Sequence, residues 1–321
     1  MPATKFEFKM GAATREAFGK ALVEAGRKNP NVVVFDADLS KSTFTAPFAK
    51  EFPGRFFECG IAEANMVALG AGMAMAGKIP VVSSFSCFVL NKGFEQLRTT
   101  VAYPGVNLKV VGTHSGISIG EDGPSQMSIE DLSLACSLPG FTVLSPADEV
   151  SMHALMLWAI DHPGAVFVRA GRAKAPIIYS ADQTFTAGKA VQLTGGNGVT
   201  ICATGLLVAE ALKAAEMLEA EGIEARVLDF HTIKPLDEQA LLKAAQETGA
   251  IVVAEEHLVD GGLGVRIAQL VSKLHPVPME FVGVENTYAE SGTPEGLLQK
   301  YGLTAERIAT AARGAAGRKR L

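Results

Sequence analysis

"NVVVFDAD", residues 31–38, decides the fold. Four apolar residues, three of them β-branched, run without a break into Asp36 and Asp38. An apolar run without alternation describes a strand buried on both faces, as in a parallel sheet covered by helices. The pattern returns in "IPVVSSF" (79–85), "NLKVVGTHS" (107–115), "FTVLSP" (141–146) and "AVFVRA" (165–170). Helix-period segments at 12–28, 63–77, 88–102 and 147–161 lie between these runs. A weakly patterned stretch, 172–198, follows, and then the alternation resumes. Strands are expected at "VTICATG" (199–205), "ARVLDF" (225–230), "IVVAEE" (251–256) and "MEFVGV" (279–284), with helices at 206–221, 237–247 and 262–274. The expected fold is α/β: two doubly wound domains of unequal size with mainly parallel sheets.

At 321 residues and 48% hydrophobic content, the chain has material for two cores. A net charge of −5 argues against nucleic acid or an anionic membrane as partner, and the basic end "GRKRL" (317–321) reads as a solvated tail. Cys59, Cys87, Cys136 and Cys202 form no C-x-x-C pair and read as core residues of a reducing compartment. There is no apolar leader and no run of membrane-spanning length, so a soluble cytoplasmic protein is expected. The sequence has no G-x-G-x-x-G after the first strand, no phosphate loop, no G-x-S-x-G and no H-E-x-x-H, and its histidines are scattered. Nucleotide cofactors, serine chemistry and a metal held by this chain alone are therefore disfavoured.

Polar residues concentrate where first-domain strands end, the edge at which open parallel sheets hold ligands. Asp36 and Asp38 precede "LSKST", Glu63 heads the apolar run "EANMVALGAGMAMAG", and Phe85 and Phe88 follow "VVSS". "THSGISIGEDGPSQM" (113–127) is a long loop punctuated by Gly and Pro, and such loops in compact domains are commonly functional. Taken alone, Glu63 reads as a helix-start carboxylate favoured by the macrodipole, and the phenylalanines read as core.

"CGIAEANM" (59–66), "SSFSCF" (83–88), "THSGISIGEDGPSQM" (113–127) and "HTIKPLD" (231–237) together resemble transketolase, in its pyrimidine-binding and C-terminal domains, from about residue 5 to about 314. The resemblance implies a pyrimidine-binding domain over 5–174, a linker over 175–190, a C-terminal domain over 191–314 and a basic tail over 315–321. Transketolases carry a further domain ahead of these, which holds a diphosphate and a divalent metal through a GDG…N motif. The nearest strings here, "DGP" (122–124) and "DGG" (260–262), lack the preceding Gly and the following Asn. The chain thus looks like the C-terminal half of a split transketolase. Its implied partner is a separate N-terminal subunit carrying that motif and Mg2+ or Ca2+, in an α2β2 assembly.

The implied cofactor is thiamine diphosphate, whose aminopyrimidine is pushed to its imino tautomer by a carboxyl bonded to ring N1′ in a dry site. Glu63 matches that carboxyl. Phe85 and Phe88 match the residues that pack on the pyrimidine, and Gln126 stands where many members have His and others Gln. Asn91 replaces a third aromatic found in many transketolases. Arg15, Ser42 and Arg172 match positions that grip a sugar phosphate, while His114 and Asp122 match those that read the donor's hydroxyls. Gln126 cannot shuttle a proton, which leaves acid–base work to His114 or to the partner. The implied activity is reversible transfer of a two-carbon ketol unit from a ketose phosphate to an aldose phosphate, in the pentose phosphate pathway. The C-terminal domain supplies no catalytic group that the resemblance names and is assigned to assembly. The rivals are a 1-deoxyxylulose-5-phosphate synthase-like subunit, a 2-oxo acid dehydrogenase β subunit, a transketolase for an unusual ketose, and a non-catalytic scaffold. "GEDGPSQ" and the retained Glu63, Phe88 and Asp122 speak against all but the unusual ketose.

Overall fold

The computed structural model describes residues 6–319. A short antiparallel ribbon, β1 (Met10–Ala13) with a later strand, opens the chain and leads into α1 (Thr14–Lys28), which has Glu16 in its first turn and Arg27 and Lys28 in its last. The charges at both ends suit the helix dipole. The first domain continues through β2 (Val32–Asp36), α2 (Ser40–Thr43), α3 (Ala46–Glu51), β3 (Phe56–Glu58), α4 (Glu63–Met75), β4 (Ile79–Phe85) and α5 (Ser86–Gln96), then β5 (Lys109–Thr113), α6 (Asp131–Ser137), β6 (Thr142–Leu144), α7 (Glu149–Asp161), β7 (Val166–Arg169) and β8 (Lys174–Pro176), the partner of β1. The second comprises β9 (Val191–Thr194), β10 (Val199–Ala203), α8 (Leu207–Glu219), β11 (Ala225–Asp229), β12 (Thr232–Lys234), α9 (Glu238–Thr248), β13 (Ile251–Leu258), α10 (Leu263–Leu274), β14 (Met279–Val284), α11 (Pro294–Lys300) and α12 (Ala305–Gly317).

The larger sheet runs β12-β6-β7-β5-β4-β2-β3, parallel except for β12. The smaller runs β14-β13-β10-β11-β9, parallel except for β9. Burial on both faces is visible within β2. Val32 and Val34 join the core under α1 and α7, and Val33 and Phe35 join the core under α4 and α5. The continuous apolar pattern is thus explained, and the α/β fold of two helix-covered, mainly parallel sheets holds.

Three details add to the sequence reading. The stretch 175–190 is tied to both domains: Ile178 and Tyr179 donate their backbone N–H groups to Asp148 Oδ2 at 2.9 and 3.0 Å, and the Tyr179 hydroxyl donates to Asp229 Oδ2 at 2.5 Å. The basic tail, 315–321, begins inside α12, which runs to Gly317; residues 320 and 321 lie outside those described. "HTIKPLD" supplies β12, which extends the first domain's sheet, because Phe230, Ile233 and Leu241 share one apolar core with β2, β4 and β5.

Candidate active site

The C-terminal ends of β2, β4 and β5 carry the site. Asp36 ends β2 as a buried carboxylate that accepts from Leu39 N and the hydroxyls of Thr43 and Thr45 at 2.7, 2.7 and 2.8 Å. Burial raises its pKa. These bonds fold residues 37–45 into a tight loop in which Asp38 and Phe44 take positive φ, and Ser42 turns its carbonyl to Arg15 Nη1 at 2.8 Å. Such strained conformations cluster at functional sites because the surrounding packing must hold them.

His114, just past β5, also has positive φ (+59°) and is 2% exposed. Its Nε2 accepts from Arg15 Nη1 at 3.0 Å, so Nδ1 carries the proton and donates to Thr113 Oγ1 at 2.9 Å, which in turn donates to Ser84 O at 3.3 Å. Burial, with the charges of Arg15 and Arg172, lowers its pKa to about 3. His114 is a neutral imidazole that stacks on Phe85 with ring centroids 3.7 Å apart. Phe85 also lies nearly parallel to Phe88, 5.6 Å away, and is itself buried. It bridges the two halves of the site, whereas Phe88 is half-buried and offers the more accessible ring.

Glu63 is the first residue of α4 and is 2% exposed. The plain helix-start reading fits its position but not its burial. Its Oε2 lies 3.5 Å from Lys92 Nζ, and the same ammonium sits 4.5 Å above the Phe88 ring. A cation therefore stands in the space between the carboxylate and the aromatic face.

Burial, then the nearby Arg172, lowers the Arg15 pKa, and the guanidinium Nε has no hydrogen-bond partner among the described residues. Arg172 donates to Ile119 O at 2.9 Å and to Glu121 Oε2 at 3.2 Å. Asp122 is exposed and close enough to Arg15 to stabilise its charge. Two guanidinium groups thus converge beside a buried neutral imidazole, where one anion would relieve the repulsion between the two cations. Gln126 accepts from Ser125 Oγ at 2.6 Å through Oε1, and its carbonyl accepts from Cys87 Sγ at 3.1 Å, tying the loop to α5. Asn91 turns instead to Glu130 Oε1, at 3.2 Å.

Residues 10–177 match the family described as the transketolase pyrimidine-binding domain, and residues 188–308 match the transketolase C-terminal domain. The chain belongs to the transketolase family. It is 42% identical to the 6-deoxy-6-sulfo-D-fructose transketolase subunit SqwH of Clostridium sp. (strain MSTE9), over 95% of each chain. It is 41% identical to the putative transketolase C-terminal section of Methanocaldococcus jannaschii, over 92% of this chain and 93% of that one. A solved split-gene transketolase, described as an inactive β4 tetramer, superposes with a TM-score of 0.91 at 47% identity, over 97% of this chain and all of the other. Human transketolase is 39% identical over 94% of this chain, which spans 49% of the human protein. The chain therefore corresponds to a C-terminal transketolase section.

Reasoning from the sequence overlooked Lys92 and the C-terminal domain's contact with the long loop. The basic residue one turn after Phe88 in "FVLNK" was the available signal for Lys92.

Proposed function

We propose that this chain is the C-terminal subunit of a thiamine diphosphate-dependent transketolase, moving a two-carbon ketol unit between sugar phosphates. The cofactor's aminopyrimidine would lie between Glu63 and Phe88. Lys92 shows that a positively charged group is accommodated against both Glu63 and Phe88, as a protonated ring edge would be. Bound there, the cofactor would supply a nucleophilic carbon and an electron sink for breaking a carbon–carbon bond next to a carbonyl. Glu63 would hold a proton against ring N1′, and Phe88 would orient the ring, with Phe85 and Gln126 fixing those walls. Arg15 and Arg172, with the Ser42 turn, would take the donor's anionic end. Neutral His114, its Nδ1 proton held by Thr113, would accept at Nε2 from a donor hydroxyl in place of Arg15, together with Asp122 and without carrying charge. The buried Glu63 beside Phe88, in a chain that superposes on a split transketolase, carries the reading.

The partner would be an N-terminal subunit bearing the GDG…N motif and its Mg2+ or Ca2+, in an α2β2 assembly in the cytoplasm. Exposed apolar side chains on and beside α4 support this assembly: Leu69 and Met75 on the helix are 47% and 66% exposed, and Ile61, just before it, is 75% exposed. Exposed apolar side chains around the helix that begins at Glu63 are suited to a second chain. The functional units would be 5–174 and 191–314, joined by the tied segment 175–190. Xylulose 5-phosphate with ribose 5-phosphate is the pentose phosphate pair to try first. A second donor class, a sulfonated ketose, is favoured by the similarity to SqwH and fits the same two arginines.

Mixing the chain with that subunit, thiamine diphosphate and Mg2+ tests the proposal. Ketol transfer is expected, and Glu63→Gln should lower kcat by about 10²–10⁴-fold while leaving the fold intact. Full activity in Glu63→Gln would sink the cofactor role.

A further inference from the structure

The loop that carries His114, Asp122 and Gln126 is held by the other domain. Glu256, near the end of β13, is buried and reaches across to accept from Ser118 N through Oε1 at 2.6 Å. Its carboxylate fills the space beside Gly116 so closely that a Cβ there would lie 2.2 Å from it, and Gly116 has φ +79°. Gly116 is therefore required both by its backbone angle and by this side chain.

The same strand fixes the neck of the loop. Gly116 N donates to Ser128 O at 2.8 Å, and Arg169 Nη2 donates to Ser128 O at 3.3 Å and to Glu256 O at 2.9 Å. Arg169 Nε donates to Asp131 Oδ2 at 2.8 Å, and Asp131 accepts from Ser86 Oγ at 2.9 Å. Ser86 starts α5, the helix bearing Phe88 and Lys92. The loop's tip rests on the C-terminal domain as well: a Cβ at Gly120 would meet Pro294 at 3.0 Å, and one at Gly123 would meet Ser291 Oγ at 2.5 Å. Glu256 is thus joined to both walls of the cleft without touching it. Burying a carboxylate carries a desolvation cost, and this one is offset by bonds to the loop rather than to its own domain.

We infer that Glu256 is a positioning residue for donor selection: from the C-terminal domain it sets the register in which His114 and Asp122 meet the donor's hydroxyls. The inference rests on the transketolase reading of the site. It also revises the assignment of the C-terminal domain to assembly alone.

Two measurements test it. In the isolated chain, hydrogen exchange at residues 116–119 should quicken about tenfold or more in Glu256→Ala, with β5 unchanged. Unchanged exchange in that segment would overturn the anchoring. In the reconstituted enzyme, kcat/KM is compared for two ketose phosphates that differ only in configuration at C3. Misfolded protein lowers both values equally and leaves their ratio alone, whereas a misplaced loop collapses the ratio. Glu256→Ala should reduce discrimination by roughly tenfold or more, and Glu256→Gln, which keeps an acceptor for Ser118 N, should restore it to within about threefold. A ratio in Glu256→Ala equal to that of the unmodified chain would overturn the inference. Should the alanine variant fail to fold, Glu256→Asp, one methylene short, should discriminate less than Glu256→Gln, and equal ratios would overturn it. An inactive wild-type reconstitution would count against the transketolase reading, while the exchange experiment still decides the anchor.

Discussion

His114 shows how burial sets chemistry at a single residue. Its imidazole stays neutral in the folded chain down to about pH 3, against an ordinary value of 6.5, because burial and two arginines oppose its charge. Between those values the unfolded chain binds a proton that the folded chain does not, so the contribution of this group to stability is full above pH 6.5 and is lost as pH falls toward 3. His114→Asn should therefore lose stability more slowly on acidification through that window. One group accounts for a slope of up to about 1.4 kcal/mol per pH unit, readable from urea unfolding at a series of pH values. That this residue matters was legible in "THSGISIGEDG". Its neutrality was not, because the arginines that enforce it lie 99 residues before it and 58 after, at Arg15 and Arg172.

At the scale of elements, α4 and α5 meet where Glu63 faces Lys92, and β7 ties α5 to the sheet through Arg169. The Asp131–Arg169 pair is buried at both ends. Burial alone would raise the Asp131 pKa, but the adjacent guanidinium carries it below the ordinary carboxylate value. Arg169→Met should destabilise the chain by about 3–5 kcal/mol, since it strands a buried carboxylate. Lys92→Met removes a partner that is itself half exposed but leaves Glu63 buried, so its cost should fall between that of a surface pair and that of Arg169→Met, about 1–3 kcal/mol. Denaturant midpoints for the two variants check the contrast. The sequence placed α1, α4, α7, α8, α9 and α10 within about two residues of their ends, because long apolar periodicity survives any context. It gave no sign of β3 or β12, three-residue strands whose existence depends on a neighbouring strand.

For the whole molecule, α4 presents exposed apolar side chains, Leu69 and Met75, that a partner chain would cover. Leu69→Lys should leave the unfolding of the isolated chain within about 0.5 kcal/mol, because the side chain is half exposed. The same change should weaken association with the N-terminal subunit, or with a second copy, by at least about tenfold, seen by sedimentation. Association of normal strength in that variant would place the interface elsewhere. Among the described residues, no helix is long and apolar enough to cross a membrane.

By itself the sequence determined two helix-covered parallel sheets, the strand ends where polar residues gather, and membership of the transketolase family. Uninterrupted apolar runs and the "GIAEANM" and "GEDGPSQ" strings are local, and local pattern is what burial and period write into a chain. Only tertiary structure decided that Lys92 faces Glu63, that β12 crosses to the first sheet and that Glu256 holds the Ser118 loop. Those contacts join residues 29, 88 and 138 positions apart, measured for β12 from Thr232 to its partner Leu144 in β6, and no periodicity reports which distant side chains will meet.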